Sequence, residues 1–319
     1  MNNTSILNYK ALAKKALAIL LTLLLVSLFA FALANLGADD AVDIMYRQSG
    51  AVDPSVIAKT RAELGLDKPL AEQYFSWLLG FLTGDAGRSL SSGQPVSQLL
   101  LSKLPSTLLL TGLSLILTLL ISISAGLYCA LKRNSVADYL LRFAAFSGNS
   151  LPSFCVSFLL LYIFSLKLGL LPVLSNGTSL SSYLLPAFSL AIPMSAKYIR
   201  YVRDEILAEL EQPYVAASLL RGLSFRAIFC NYVLRSLFLH LLSIIALSIG
   251  SLLGGATIIE SIFMLDGMGK LAVDAILRKD IPVLQAYVIW SAIIYILVNL
   301  IADITAYTLD PRQRAGKAG

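Results

Sequence analysis

Side chains that usually carry chemistry are few in this sequence and stand far apart. His240 is the only histidine, which rules out a His-based metal cluster within the chain. Cys129, Cys155 and Cys230 show no pairing pattern and no Cys-x-x-Cys, so neither a disulfide nor a zinc site is expected. A phosphate loop needs G-x-x-x-x-G-K-[ST]. The nearest string, Gly267-Met268-Gly269-Lys270-Leu271, has Met264 at the first glycine position and Leu271 where Mg²⁺ needs a hydroxyl. It reads as a turn. Asp303 lies near the end of an apolar run, which suits a structural pairing with Arg200 or Arg203 better than an ion relay. Asn149, Ser150, Gln285 and Asn299 could line a polar path, with interhelical hydrogen bonding as the simpler role for each. No catalytic residue, metal site or cofactor site is expected, and the chain reads as non-enzymatic.

The elements that must hold these residues follow from charge. Of 319 residues, 57% are hydrophobic and 14% charged, against about 25% charged in ordinary soluble domains. Most of the surface must therefore meet something other than water, and lipid fits. The 25 basic residues exceed the 19 acidic ones, but they lie singly between apolar runs, a pattern that sets membrane orientation and argues against nucleic acid. Stretches free of Asp, Glu, Lys and Arg run Ala16–Ala38, Leu104–Leu131, Phe143–Leu166, Leu168–Ala196, Ser236–Ile259 and Ile281–Ala302. The shortest has 22 residues, and a helix needs about 20 to cross the hydrocarbon core. Inside lipid each run must satisfy its own backbone, so helix is the expected state. In the fourth run Pro172, Asn176, Gly177 and Ser181-Ser182 predict a loop before a helix near Tyr183–Tyr201. The fold class is thus all-α, with six transmembrane helices. Lys14-Lys15, the apolar stretch and Ala32-Leu33-Ala34 also resemble a cleavable signal, but the run is longer than such a core, so a retained span is expected.

Basic clusters orient the spans. Lys10, Lys14 and Lys15, then Lys132 and Arg133, then Lys197, Arg200, Arg203, Arg221, Arg226 and Arg235, then Arg312, Arg314 and Lys317 fall on one side if both termini are cytoplasmic. The implied order is a cytoplasmic segment 1–15, a first span 16–36, and an extracytoplasmic segment 37–103 with helices near Pro54–Leu64 and Leu70–Leu82. A domain 96–307 with five helices and a cytoplasmic loop 204–235 follows, then a cytoplasmic end 308–319.

In that loop, Pro213 suits a first helical turn, Gly222 a left-handed cap, and Ser224 the cap of the next helix. The result is a helix of about two turns carrying the small residues Ala216, Ala217 and Ser218, either a plain connector or a piece that lies in a partner's groove. Tyr214, with Ala/Ser at the fourth residue on and Gly222-Leu223 after it, then Leu234-Arg235, resembles the coupling motif of type I ABC importer permeases. Upstream, Glu63-Leu64-Gly65-Leu66-Asp67-Lys68-Pro69-Leu70, Gln73-Tyr74, Trp77-Leu78, Gly84-Asp85 and Gly87-Arg88-Ser89 resemble the external region of the peptide/nickel branch. Downstream, Gly254-Gly255, Ile259-Glu260-Ser261-Ile262-Phe263, Gly267-Met268-Gly269, Asp280-Ile281-Pro282-Val283 and Asp310-Pro311-Arg312 continue the pattern in order. Departures are His240 at a usual proline, Asp266-Gly267 for Pro-Gly, and Ala216 at the acidic position that names the motif.

The resemblance implies the type I permease fold, in the plasma membrane of a bacterium. It implies a second homologous permease subunit, two cytoplasmic ATPase subunits and an extracytoplasmic binding protein. ATP and Mg²⁺ belong to the ATPases. Tyr214, Ala216, Ala217, Ser218, Arg221, Gly222 and Leu223 would form the ATPase-coupling element. Closure of the ATPase dimer would push on it and tilt spans three to six. The stretch Met45–Pro54 with Thr60-Arg61-Ala62-Glu63 looks more like nickel-type than dipeptide permeases, so nickel, a metal chelate or a peptide is the expected cargo. A stand-alone channel or secondary carrier is the alternative.

Overall fold

The computed structural model describes residues 3–35, 42, 46, 53–63, 65–174 and 179–309. Asn176, Gly177, Arg312, Arg314, Lys317 and most of Met45–Pro54 lie outside them. Among the described residues the chain is helical, with one isolated antiparallel bridge from Arg88 to Pro95. The helices are α1 (Asn3–Asn35), α2 (Pro54–Glu63), α3 (Leu70–Leu82), α4 (Val96–Leu131), α5 (Val136–Asn149), α6 (Ser153–Leu160), α7 (Ser181–Leu210), α8 (Pro213–Leu220), α9 (Phe225–Ile228), α10 (Leu234–Ile262), α11 (Met268–Leu277) and α12 (Ile281–Leu309). Wider π-helical turns, Leu161–Lys167 and Phe229–Val233, extend α6 and join α9 to α10.

Helices occupy all six charge-free runs. Among the described residues, three helices are long and apolar enough to cross a membrane by themselves: Ala13–Ala32, Val96–Leu131 and Ile281–Thr305. The run expected as the third span, Phe143–Leu166, is not one continuous helix. It is a pair, Val136–Asn149 and Ser153–Lys167, bent by 105°. Pro152 explains the break: it has no amide proton to continue the ladder, and it drives Leu151 out of helical geometry. The fourth run starts its helix at Ser181, and α7 continues past the apolar part through Lys197, Arg200 and Arg203 to Leu210. It carries Pro186 and Pro193 inside the helix. These remove the amide donors that the Ser182 and Ser189 carbonyls would otherwise receive.

The chain divides into two compact units, residues within Met1–Pro105 and Lys270–Leu297, and residues within Ser106–Gly269 and Val298–Gly319. In the first, α3 packs on α1. Tyr74 and Ser27 share a hydroxyl hydrogen bond of 2.8 Å, and the Phe31 ring meets Tyr74 edge-on at 5.4 Å and Trp77 at 5.8 Å. The buried Asp280 carboxylate, just before α12, accepts from the Ser89 hydroxyl (2.5 Å), the Ser91 hydroxyl (2.8 Å) and the amides of Leu90 and Ser91. One carboxylate thus gathers four donors and fixes the loop that leads into α4.

The core of the second unit lies between α4, α7 and α10, built on Leu110, Leu190, Leu252, Ile259 and Phe263. Towards the α7–α8 end a second cluster holds Val202, Ile206, Phe229, Val233 and Leu237. Gly126 sets how closely α4 meets α7: a Cβ there would lie 2.7 Å from Val202 Cβ and 2.9 Å from the Ile199 carbonyl oxygen. Buried Thr118 and Ser122 lie on the same helix, and small residues permit this close approach.

Candidate functional site

The loop between α7 and α10 takes the shape its sequence predicts. Gln212 is extended, Pro213 opens α8, and the helix closes in a Schellman motif, with the Leu223 amide on the Ser218 carbonyl and the Gly222 amide on that of Leu219. Gly222 sits at φ +84°, the left-handed region. The Ser224 hydroxyl then accepts from the Ala227 amide and starts α9.

Burial sorts the residues of α8 by face. Val215 points inward and is buried, while Tyr214, Ala217 and Ser218 are half-buried. Pro213, Ala216, Leu219 and Leu220 are exposed, and the spacing i, i+3, i+6, i+7 places them on one side. Leu220 is 89% exposed. The outward surface is therefore chiefly leucine. Of the three small residues, Ala216 alone is fully on it. Arg221, Gly222 and Leu223 continue the exposed edge.

Contacts from the flanking elements brace the helix. The Tyr214 hydroxyl donates to Glu209 Oε1 at 2.7 Å, tying α8 to the end of α7, and its ring lies 6.0 Å from that of Tyr232. Arg133, after α4, reaches Glu211 at 3.0 Å. This last pair is exposed and contributes at most about 1 kcal/mol.

A deeper anchor lies behind this surface. Arg203 of α7 donates through Nε and Nη2 to the two oxygens of Asp138 on α5, at 2.9 and 3.0 Å. Asp138 is fully buried, and it also accepts from the Asn134 amide and has Arg142 Nε at 3.3 Å. Arg203 additionally reaches Asp204. Arg203 is thus held by Asp138 and Asp204. Nearer the start of α10, His240 Nδ1 lies 2.9 Å from the Ser236 carbonyl and 3.0 Å from Glu205 Oε1 of α7. Helix runs unbroken through His240, where the family's proline would remove a hydrogen bond.

Another buried carboxylate closes the far end of α10. Glu260 accepts from the Thr107 hydroxyl at 2.7 Å, and that hydroxyl in turn receives the Met268 amide. A Cβ on Gly267 would lie 2.3 Å from the Glu260 carboxylate, and one on Gly269 would lie 2.5 Å from Thr257 Cα. Gly-Met-Gly is a cradle for a carboxylate from its own chain.

Asn149 and Ser150 lie exposed together at the bend between α5 and α6, the Ser150 hydroxyl donating to the Phe146 carbonyl. Gln285 is buried near the start of α12 in the first unit. Asn299 is half-buried farther along that helix, in the second unit. Among the described residues, no cluster of three or more His, Cys, Asp or Glu could hold a metal ion.

Comparison with known proteins agrees with this architecture. Residues 122–315 match the family of binding-protein-dependent transport system inner membrane components, and residues 8–111 match the N-terminal region of such components. Two nickel import system permease proteins of Staphylococcus aureus, from strains MRSA252 and bovine RF122 / ET3-1, are each 32% identical over 306 residues, covering 96% of this chain and 92% of theirs. The solved MetNI methionine ABC transporter, in an inward-facing conformation, has a chain that superposes with a TM-score of 0.56 at 14% identity. That alignment covers 67% of this chain and 97% of the other, a likeness of fold. This chain is a multi-pass membrane protein and belongs to the family of inner-membrane permease components of binding-protein-dependent ABC importers.

Proposed function

We propose that the chain forms half of the translocation path of an importer for nickel, carried as the ion or as a metal chelate. Identity to the Staphylococcus aureus nickel permeases over nearly the whole chain carries this reading. Its second half would be a homologous permease subunit. Two ATPases would bind at α8, and a binding protein would deliver cargo from the opposite side. Both termini would be cytoplasmic in a bacterial plasma membrane. The exposed apolar face of α8 supports the ATPase contact, because a short helix with leucines outward suits a groove better than water. Recognition of the metal is assigned to the binding protein or to a chelator, which asks nothing of the transmembrane side chains beyond a passage. Asn149, Ser150, Gln285 and Asn299 remain the candidates for lining it.

The test is a deletion strain supplied in turn with radiolabelled nickel, a nickel–histidine complex and a dipeptide as sole source of a required amino acid. Nickel accumulation should fall to background and return on complementation. Unchanged nickel accumulation with loss of dipeptide growth would replace the cargo reading by a peptide one.

A further inference from the structure

Helix α3 has three faces rather than two. Tyr74, Trp77 and Phe81 turn towards α1, where Tyr74 is buried. Glu72 and Ser76 form an exposed polar edge. Between these, Phe75, Leu79 and Leu82 are 61%, 63% and 72% exposed, a contiguous apolar strip left open by the described residues of its unit. The level of this strip along α1 is set by the hydrogen bond between Tyr74 and Ser27. Ser27 is inside the apolar span Ala13–Ala32, five residues before its end. At 1.5 Å per residue that is about 7–8 Å before the end of this apolar stretch. Helices that lie in a membrane interface bury their apolar face by about 5–10 Å. Around the same level α1 itself exposes Leu24, Leu25, Leu28 and Phe29, the surface a spanning helix turns to acyl chains.

We infer that α3 is an interfacial membrane helix. It lies in the lipid leaflet beside the far end of α1, with Phe75, Leu79 and Leu82 among acyl chains and Glu72 and Ser76 towards the headgroups. The occupant of the strip is lipid, because the anchoring bond joins α3 to a residue within the apolar span of α1 and because that span itself exposes Leu24, Leu25, Leu28 and Phe29. Tyr74 and Trp77, apolar bodies with polar tips, are residues suited to that boundary. The segment between α1 and α4 would then be tethered to the bilayer surface.

Single cysteines at Phe75, Leu79, Leu82 and Ser76 on a Cys129→Ala, Cys155→Ala, Cys230→Ala background would carry nitroxide labels. All four positions are exposed, so labelling should not perturb packing. The full-length chain, reconstituted with the subunits that copurify with it into phosphatidylethanolamine/phosphatidylglycerol vesicles, is read by power saturation. The ratio of collisions with oxygen to collisions with chromium oxalate should be several-fold higher at 75, 79 and 82 than at 76. Access to chromium oxalate at 75 and 79 equal to that at 76 would place the strip in water and overturn the inference. Labels immobilised and shielded from both relaxants would assign the strip to a protein partner, and would overturn it too.

Discussion

Asp138 meets cations from two helices, Arg203 across a bidentate bond and Arg142 from its own helix, with the Asn134 amide completing the shell. Neither partner of the main pair has much water to fall back on: the side chains are 0% and 10% exposed. Removing one partner of such a pair costs on the order of 3–5 kcal/mol, because the other charge stays buried, whereas replacing both by apolar groups is often near neutral. Asp138→Ala should therefore lower the melting temperature of the detergent-solubilised protein by several degrees. The double variant Asp138→Ala, Arg203→Met should recover much of the loss. Additive losses in the double variant would show that the two side chains act separately. Pro213, Gly222 and Ser224 were legible in the sequence, since a first helical turn and two caps are local and each residue type has a local reason. Asp138 was not. Its partner lies 65 positions away, and nothing in a one-dimensional pattern marks a lone aspartate before an apolar run as buried. Glu260 and Asp280 were visible as family positions, but their donors, Thr107 and the Ser89–Ser91 loop, were not.

At the scale of elements, charge-free runs located every long helix and misjudged how the helices end. Helix formation follows backbone hydrogen bonding, so α4 begins at Val96, before Lys103 and Pro105, and α7 runs on through its charged half. The bend at Ser150–Pro152 interrupts a run with no charged residue in it, and a count of charges is blind to geometry. Pro152 was the signal available. Helix α8 is the element where burial changes an expectation, since its outer face is leucine-rich and Ala217 is half turned inward. Leu220→Asp is then the cleaner probe of coupling: at 89% exposure it should leave insertion and folding intact. Removing an apolar side chain from a desolvated groove and forcing a charge into its place should lower ATPase copurification and uptake by roughly tenfold or more, the equivalent of about 1.4 kcal/mol or above. Gly222→Val should act in the same direction by straining the left-handed cap at φ +84°. Wild-type uptake in both variants would reduce α8 to a connector.

For the whole molecule, orientation is the property from which the roles of both ends of the bundle follow. On the cysteine-free background, cysteines at Ser92 and Ser179, both exposed, should react with an impermeant thiol reagent in intact cells. One at Arg221 should react only after the membrane is opened. Labelling of Arg221→Cys from outside would invert the topology and remove the ATPase reading of α8. Gly267 is a poor reporter, because a side chain there collides with Glu260. The prolines of α7 add a mechanical consequence. Below Pro193 the helix runs uninterrupted to Leu210, about 25 Å of stiff rod at 1.5 Å per residue, whereas Pro186 and Pro193 leave the upper part short of backbone bonds. A bend in α7 would then fall at the prolines, with the rod below as its lever arm. A rotation of about 10° there carries the α8 end through about 4 Å, the arc of a 25 Å radius. Small angular changes among the packed upper helices and a stroke of several ångströms at the surface of the loop are, for this geometry, the same motion.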